Sequence, residues 1–416
     1  MANPLMLTNL QAVGGAELVK LQKLCRRMLD LSEQPLAFPG SQPVSFERED
    51  LAKLVEQVRT SGVWPAYYAA EKTDGMRYML MVLPPELGQG AFIIDRNFNM
   101  RRLPVHFPSA KSGAFLNFTL LDGELVEDTD LSTGQISLRY LIYDACVVDN
   151  RKVTQETLLG RLMAVRHRVL KPWFEKVPFD PRLFRIELKD QYELAQLNHL
   201  FEFTAPAADK SKHLYTFTDV KQMEVRRPDD GAETTVVTTH NLRHGTDGII
   251  FTPVATPYVH GTDHKVLKWK PAEMNSVDFA WTREYKHESE DQGITPRFLL
   301  WTAENKMLQP VAWIEMDAKE EFRLNSEINK RPRGNEHVIV ECVWDPTKTV
   351  RRYKKKWRDE PTWEAAFVEL VRTGGWRFER VRIDKTMPNA KSTMESVKKS
   401  IQDNVTKEEL LAAFSS

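Results

Sequence analysis

The segment Glu71-Lys72-Thr73-Asp74-Gly75-Met76-Arg77 places one lysine among carboxylates, followed by a glycine and an arginine. A lysine amine can attack a phosphorus atom only when it is deprotonated, and desolvation or neighbouring cations lower its pKa enough to allow this. Lys72 is therefore our candidate nucleophile. Gly75 permits a tight turn, and Arg77 has the reach to bind a ribose or a phosphate. Read alone, the segment is also typical of a charged hairpin turn, so it needs partners elsewhere.

Five further segments supply possible partners, and each follows or contains a short apolar run. Leu121-Asp122-Gly123-Glu124-Leu125 places Glu124 after a strand, and Tyr143 in the run 140–144 offers a ring that can stack on a purine. The other three segments are Thr246 to Phe251, with Asp247 in a turn; Leu267 to Pro271, with Lys268 and Lys270; and Phe378 to Lys385, with Arg380, Arg382, Asp384 and Lys385. Two lysines two residues apart on one strand point to the same side.

Composition bounds the class of protein. The 416 residues, 42% of them hydrophobic, favour two domains. Lys and Arg number 58, as do Asp and Glu, so contact with a polyanion must be local. Cys25, Cys146 and Cys342 lie far apart, which excludes a Cys-x-x-Cys zinc pattern and indicates a reducing compartment. Because neither a secretory leader nor a run of about 20 apolar residues is visible, we expect an intracellular protein with no membrane partner.

The apolar pattern predicts an α+β fold. Two helices precede a series of short strands between Tyr67 and Val148, which predicts an antiparallel sheet, and a helix is expected over 154–170. After Pro271, five strand-like runs predict a small barrel of the OB-fold type. We expect the first domain to cover 1–272 and the barrel 273–390, with C-terminal helices in 391–416 packing back on the first domain.

The ordered segments resemble the collinear motifs of the covalent nucleotidyltransferase superfamily, which contains mRNA capping enzymes and polynucleotide ligases. The resemblance covers nearly the whole chain. Three stretches resemble the capping branch in particular: Phe38 to Ser45, Asn275-Ser276-Val277-Asp278-Phe279, and Arg382 to Asn389. The resemblance implies a nucleotidyltransferase domain followed by an OB-fold domain. It also implies a GTP:RNA guanylyltransferase that caps mRNA through a covalent lysine–GMP intermediate.

The resemblance assigns roles to individual residues. Lys72 would attack the α-phosphate of GTP and carry GMP, while Arg77 and Glu124 would hold the ribose hydroxyls. The other assignments are Tyr143 stacking on guanine, Lys189 reading the base carbonyl, Arg96 contacting the triphosphate, Lys268 and Lys270 contacting the α-phosphate, and Arg382, Asp384 and Lys385 contacting the β- and γ-phosphates. Such clustered cations would lower the pKa of Lys72.

Phosphoryl-type transfer also calls for a divalent metal and for closure of the site. Carboxylate oxygens suit Mg²⁺ or Mn²⁺, and Asp247 is the first choice for a metal-linked acid, with Glu124 second. Either carboxylate could instead only orient the lysines. We expect the barrel to swing over bound GTP, align pyrophosphate for departure and reopen to admit RNA.

The implied partners are GTP, RNA with a 5′-diphosphate end, a separate RNA triphosphatase and the phosphorylated tail of RNA polymerase II, all in the nucleus. Two alternatives stay open. An ATP-dependent polynucleotide ligase would use the same lysine chemistry, and a non-catalytic RNA-binding module would keep only the fold. The basic run 351–358 is typical of RNA-binding surfaces and equally of a solvated loop. His260 and His264 are interpreted as loop residues and not as metal ligands.

Overall fold

The computed structural model describes residues 10–60, 65–87, 90–111, 113–177, 184–206, 213–226, 233–289, 293–305, 307–329, 337–355, 367–383 and 385–414. Asp384 and part of the basic run 351–358 lie outside these residues, and so do the side chains of the rest of that run. The chain forms two compact units. The first extends to Trp269 and includes the chain from Glu408 onwards, and the second covers Lys270–Lys407.

The first unit combines helices with a large sheet. Its helices are α1 (Gly15–Met28), α2 (Arg48–Thr60), α3 (Leu158–Val165), α4 (Lys171–Lys176) and α5 (Leu197–Glu202). Its strands are β1 (Ser41–Ser45), β2 (Tyr67–Thr73), β3 (Met76–Leu83), β4 (Gly90–Ile94), β5 (Met100–Leu103), β6 (Thr119–Asp130), β7 (Ile136–Val148), β8 (Arg151–Lys152), β9 (Arg185–Leu188), β10 (Tyr192–Glu193), β11 (Thr204–Pro206), β12 (His213–Arg226), β13 (Glu233–Pro253) and β14 (Gly261–Trp269).

The sheet of the first unit is mainly antiparallel. Within the described residues its main path is β1-β14-β13-β6-β3-β4-β5, with β2 and β12 added on β13 and β7 on β6. In the part of this sheet that the structure describes, β1 with β14 and β7 with β9 are the parallel pairs. On β3, Met79 and Met81 belong to one apolar cluster and Leu80 and Val82 to another. Because both faces of this strand are buried from Met79 onwards, residues 79–83 are continuously apolar and do not alternate.

The second unit is a five-stranded antiparallel sheet in the described part of the chain. Its strands are β15 (Ser276–Ser289), β16 (Gly293–Glu304), β17 (Met307–Ile314), β18 (Val338–Lys355) and β19 (Phe367–Val381), in the order β17-β16-β15-β18-β19. The two edge strands, β17 and β19, contact each other, so the sheet curls into a barrel. The α+β class with an OB-fold C-terminal domain is therefore confirmed.

The helices of the second part of the chain are α6 (Ala318–Ile328), α7 (Lys391–Asp403) and α8 (Lys407–Phe414). Asp317 and Glu320 form a capping box at the start of α6. Met394 and Val397 of α7 lie in the apolar core of the second unit. Helix α7 therefore belongs to the second unit, whose core buries its apolar face, and not to the first domain as expected. Of the C-terminal segment 391–416, the part that belongs to the first unit begins at Glu408.

Two local expectations need correction. The helix expected over 154–170 begins at Leu158, where the Thr157 side chain caps it, and passes through a π-helical turn (Arg166–Leu170) into α4. His260 lies in a loop, but His264 lies within β14. All three cysteines are buried free thiols. Within the described residues, no helix is both long enough and apolar enough to span a membrane.

Candidate active site

A cleft in the first unit gathers side chains that are far apart in sequence. It encloses about 790 Å³, counting the part open to solvent. Six of the residues singled out from the sequence line it, namely Lys72, Arg77, Arg96, Glu124, Tyr143 and Lys189. Ser41, Asp122 and Tyr258 line it as well. The fold therefore brings six predicted site residues into one concave space.

Lys72 lies on β2 and faces Asp247 on β13. Its Nζ atom donates a hydrogen bond to Asp247 Oδ1 over 2.6 Å. Thr73 pairs with Thr246 and Glu71 with Ile249, so Asp247 and Gly248 together oppose Lys72. This β-bulge turns the Asp247 side chain toward the lysine. Asp247 therefore lies at a bulge inside a continuous strand, and not in the turn that the sequence suggested.

The charges around Lys72 also differ from expectation. Burial lowers the pKa of its ammonium, but the carboxylates of Asp247, Glu124 and Asp74 outweigh burial and raise that pKa above its ordinary value. The expectation of a lowered pKa is wrong for this state of the protein, because the charges that act most strongly on the ammonium are those of carboxylates.

Arg77 is held by Asp122, a residue that sequence analysis did not single out. Arg77 Nε and Nη2 donate to the two oxygens of Asp122 over 3.0 and 2.6 Å, and Nη1 donates to the Ser41 carbonyl. The guanidinium lies 5.2 Å from the ring centre of Phe38 and 5.8 Å from that of Tyr143. Arg77 is therefore rigidly placed at the cleft wall, and its contact with a ribose stays a prediction.

Tyr143 reaches the cleft through a second β-bulge. On β6 and β7, Asp122 pairs with Asp144 and Gly123 with Ile142, so Tyr143 is the extra residue. Its hydroxyl donates to Asp122 Oδ1 over 2.7 Å, and the ring lines the cleft. The position suits a ring that stacks on a base.

Lys189 follows β9 and is buried at the cleft wall. Its Nζ lies 3.2 Å from Glu71 Oε1 and donates to the hydroxyl of Thr73. Lys189 is therefore anchored on the residues at both sides of Lys72. Its assignment to the base carbonyl stays a prediction.

The two metal candidates do not form a preassembled site. Among the described residues, no three His, Cys, Asp or Glu side chains come together in a metal-binding cluster. Asp247 and Glu124 both act on the Lys72 ammonium, which places two carboxylates beside the candidate nucleophile. Mg²⁺ in nucleotide sites is commonly held by one or two carboxylates together with phosphate oxygens and waters. The residues present therefore fit a cation that arrives with a nucleotide.

Three predicted phosphate ligands occupy different parts of the chain. Arg96 lies in the turn after β4 and lines the cleft. Lys268 is on β14, on the same face as the cleft-lining Val266. Lys270 belongs to the second unit, and β14 ends at Trp269. The expectation that both lysines share one strand is therefore wrong, because the strand ends between them.

The predicted cations of the second unit converge on Asp278. Arg382 Nη1 lies 2.9 and 3.1 Å from its two oxygens, and Lys385 also donates to it. Asn389 accepts a 2.8 Å hydrogen bond from the Asp278 backbone N–H. Arg380 instead pairs with Glu341 over 2.6 Å. Asp384 lies outside the described residues.

Two further residues of these sites, Asp122 and Asp278, lie inside the sequence motifs but were not predicted as site residues. Asp122 is two residues from Glu124, and strand periodicity places both on one face. That signal was available. The Asp278 signal was weaker, because its partners are more than 100 residues away along the chain.

A sheet-based domain with a lysine-bearing cleft, followed by a small barrel, is the arrangement of a covalent nucleotidyltransferase. Two family models match this chain. The model described as "mRNA capping enzyme, catalytic domain" matches residues 7–230 and 202–272, and "mRNA capping enzyme, C-terminal domain" matches 274–411. The chain belongs to the mRNA capping enzyme family.

Curated relatives agree with this membership. The "mRNA-capping enzyme subunit alpha" of Schizosaccharomyces pombe is 33% identical over 396 residues, which are 92% of this chain and 81% of the relative. The protein of the same name from Saccharomyces cerevisiae is 28% identical over 422 residues, with 94% and 81% covered. The "mRNA-capping enzyme" of Danio rerio is 28% identical over 398 residues, 95% of this chain and 52% of the relative.

Among solved structures, the chain is similar to a mycobacterial DNA ligase D complexed with ATP and MES. The TM-score is 0.33 and the sequence identity 9%, with 74% of this chain and 90% of the ligase covered. A likeness at this level carries no argument about function.

Proposed function

We propose that this protein is an mRNA guanylyltransferase that transfers GMP from GTP to the diphosphate 5′ end of RNA through a covalent lysine–GMP intermediate. One observation carries the proposal: Lys72, Arg77, Glu124, Tyr143 and Lys189 line a single cleft. That set offers a nucleophile, polar partners for a ribose, an aromatic ring that can stack on a purine, and a cation that can bind the edge of the purine.

The first transfer begins at Lys72. Its ammonium must lose a proton before its lone pair can attack the α-phosphorus, and Asp247 Oδ1, 2.6 Å from Nζ, is in position to accept that proton. The new N–P bond forms as the P–O bond to the β-phosphate breaks, and pyrophosphate leaves. A divalent cation held by Asp247 and Glu124 would neutralise charge on the phosphates. Arg96 and Lys268 add positive charge for the same purpose.

In the second transfer, GMP passes from Lys72 to the RNA. A terminal phosphate oxygen of the RNA diphosphate attacks the same phosphorus, the N–P bond breaks, and Lys72 recovers its amine. The capping assignment implies a nuclear protein with GTP and 5′-diphosphate RNA as substrates. It also implies association with an RNA triphosphatase and with the phosphorylated tail of RNA polymerase II. The relatives' name "subunit alpha" supports a partner subunit.

The test is incubation with α-labelled GTP or ATP and Mg²⁺ or Mn²⁺, followed by denaturing electrophoresis. We expect label from GTP, reversal by pyrophosphate, and peptide mapping to Lys72. Lys72→Ala should abolish the label, whereas Lys53→Ala, at an exposed position on α2, should retain it. Preferential labelling by ATP would instead identify a ligase, and no label from either nucleotide would favour a non-catalytic module.

A further inference from the structure

A buried polar cluster lies behind the strand that carries Lys72. At its centre is His244 of β13, only 4% exposed. Its Nε2 lies 3.2 Å from Glu71 Oε1, and its Nδ1 lies 3.0 Å from Asp128 Oδ1. His244 lies outside the sequence motifs and has no role in the proposed chemistry.

The geometry indicates that His244 is a charged imidazolium. A neutral imidazole has one N–H donor, so a ring with a carboxylate oxygen at each nitrogen needs both nitrogens protonated. Arg139 Nη2 is 3.4 Å from Nδ1, farther than Asp128, and the Arg139 guanidinium also lies 2.8 Å from Asp128 and 3.0 Å from Glu187. Donation from Arg139 to a neutral ring is thus the weaker arrangement.

The charges around the ring support the same state. Glu71 faces it from β2, Asp128 from β6 and Arg139 from β7, while Tyr215 of β12 packs its ring 5.5 Å away. Burial lowers the pKa of His244, but Glu71 and Asp128 outweigh burial and raise it. The surrounding charges further from the ring are those of Lys189, Glu187 and Asp190.

The cluster is connected to the cleft through one oxygen atom. Glu71 Oε1 lies 3.2 Å from both His244 Nε2 and Lys189 Nζ, and Glu71 Oε2 has no hydrogen-bond partner among the described residues. Lys189 lines the cleft and also donates to Thr73. A change of charge on His244 therefore alters how strongly Glu71 holds the Lys189 ammonium.

We propose that the imidazolium of His244 is a positioning group for Lys189: by sharing the Glu71 carboxylate, it weakens the hold of that carboxylate on the Lys189 ammonium, which can then turn to the nucleotide base. This inference rests on the proposed function and deepens it. When His244 loses its proton, Lys189 becomes the only cation on Glu71 Oε1 among the described residues and is drawn toward β2, away from the cleft. Nucleotide affinity then depends on a histidine that never touches the nucleotide.

The direction of the pH effect follows. In the folded protein Glu71 and Asp128 stabilise the protonated ring of His244 and raise its pKa. The charged form is therefore fully present at low pH and is lost as the pH rises through that raised pKa. GTP should therefore bind more weakly above that pKa. His244→Gln keeps a neutral donor near Glu71 but carries no charge at any pH. It should resemble the deprotonated wild type throughout.

The experiment measures the dissociation constant of GTP by titration calorimetry without divalent cation, from about pH 5.5 to about pH 8.5. At the acid end we expect His244→Gln to bind GTP about tenfold more weakly than wild type. Its profile should keep only the pH dependence that comes from the terminal phosphate of GTP itself. The single-turnover rate of labelling at saturating GTP should change less than the affinity. His199→Gln, at an exposed histidine of α5, should keep the wild-type profile.

Each outcome decides the question. If the GTP affinity of His244→Gln depends on pH in the same way as that of wild type, or if the affinity is unchanged, the proposed role of His244 is wrong. If wild-type protein takes up no covalent label, the proposed function is wrong instead. The role of His244 can still be tested in that case, because calorimetry measures GTP binding and requires no covalent labelling. If His244→Gln fails to fold, the protonation of His244 is followed by NMR of ring-labelled wild-type protein. A midpoint matching that of GTP affinity then supports the proposal, and a mismatch overturns it.

Discussion

At the scale of single residues, Asp122 organises the cleft wall. It accepts hydrogen bonds from Arg77, from Tyr143 over 2.7 Å and from Tyr258 over 2.5 Å, and it is fully buried. A buried carboxylate with one cation and two hydroxyl donors has its lone pairs satisfied, which offsets the cost of burying its charge. We therefore expect substitution of Asp122 to affect the stability of the protein more than the chemical step of GMP transfer.

We predict that Asp122→Asn lowers the free energy of unfolding by about 3–5 kcal/mol, because it leaves the Arg77 guanidinium buried without a counter-charge. Urea denaturation of the intact chain measures this. The matched control is Glu56→Gln, which breaks the exposed 2.9 Å pair with Arg59 and should cost at most about 1 kcal/mol. Equal costs for the two variants would show that Arg77 finds another partner.

Tyr143 allows a separate residue-scale prediction about binding. Tyr143→Ala should weaken GTP binding by about 1–3 kcal/mol if a base stacks on the ring. From sequence alone Tyr143→Phe would be nearly silent, but the hydroxyl bond to Asp122 changes this. The Phe variant should lose about 0.5–1.5 kcal/mol, mainly in stability and not in affinity. Titration calorimetry measures the affinity and urea denaturation the stability. An unchanged affinity in Tyr143→Ala would exclude stacking.

At the scale of elements, the site depends on irregular pairing between strands. Asp247 and Tyr143 both sit at β-bulges, where one strand carries an extra residue. Apolar runs predicted many of the strands, because each strand is a local pattern. The bulges were not predictable, because they arise only when distant strands pair: Lys72 and Asp247 are 175 residues apart. For the same reason two of the charges that raise the pKa of Lys72, those of Asp247 and Glu124, were invisible in its own segment, which contains only the third, Asp74.

Gly75 shows how the β2–β3 hairpin is held against β6. A Cβ added there would lie 2.6 Å from the Leu125 carbonyl oxygen and 2.9 Å from Glu124 Cγ. The close approach to backbone, and not only a tight turn, therefore requires glycine. We predict that Gly75→Ala costs about 1–3 kcal/mol of stability and slows labelling by displacing Glu124. Gly160→Ala in α3, whose Cβ would come no closer than 3.1 Å to the Glu156 and Thr157 side chains, should be neutral or stabilising. Similar losses in both variants would contradict this account.

At the scale of the whole molecule, the two units divide the charged groups between them. The first unit holds the candidate nucleophile and its carboxylates, and the second holds Arg382 and Lys385 against Asp278. We propose that these two cations bind the β- and γ-phosphates of GTP. Those phosphates leave as pyrophosphate once Lys72 carries GMP, so the second unit should matter mainly for the first transfer.

Single-turnover kinetics of the two half-reactions test this division. Lys385→Ala should slow formation of the enzyme–GMP adduct by about tenfold or more, because a charge-assisted contact to the leaving group stabilises the transition state. Preformed adduct from the same variant should still pass GMP to diphosphate-ended RNA at a rate much closer to wild type. Lys391→Ala removes another cation of the second unit, one that lies 3.5 Å from Glu304, and should leave both rates unchanged. If Lys385→Ala slows the two half-reactions equally, its ammonium acts on both transfers, and the assignment to the departing phosphates is wrong.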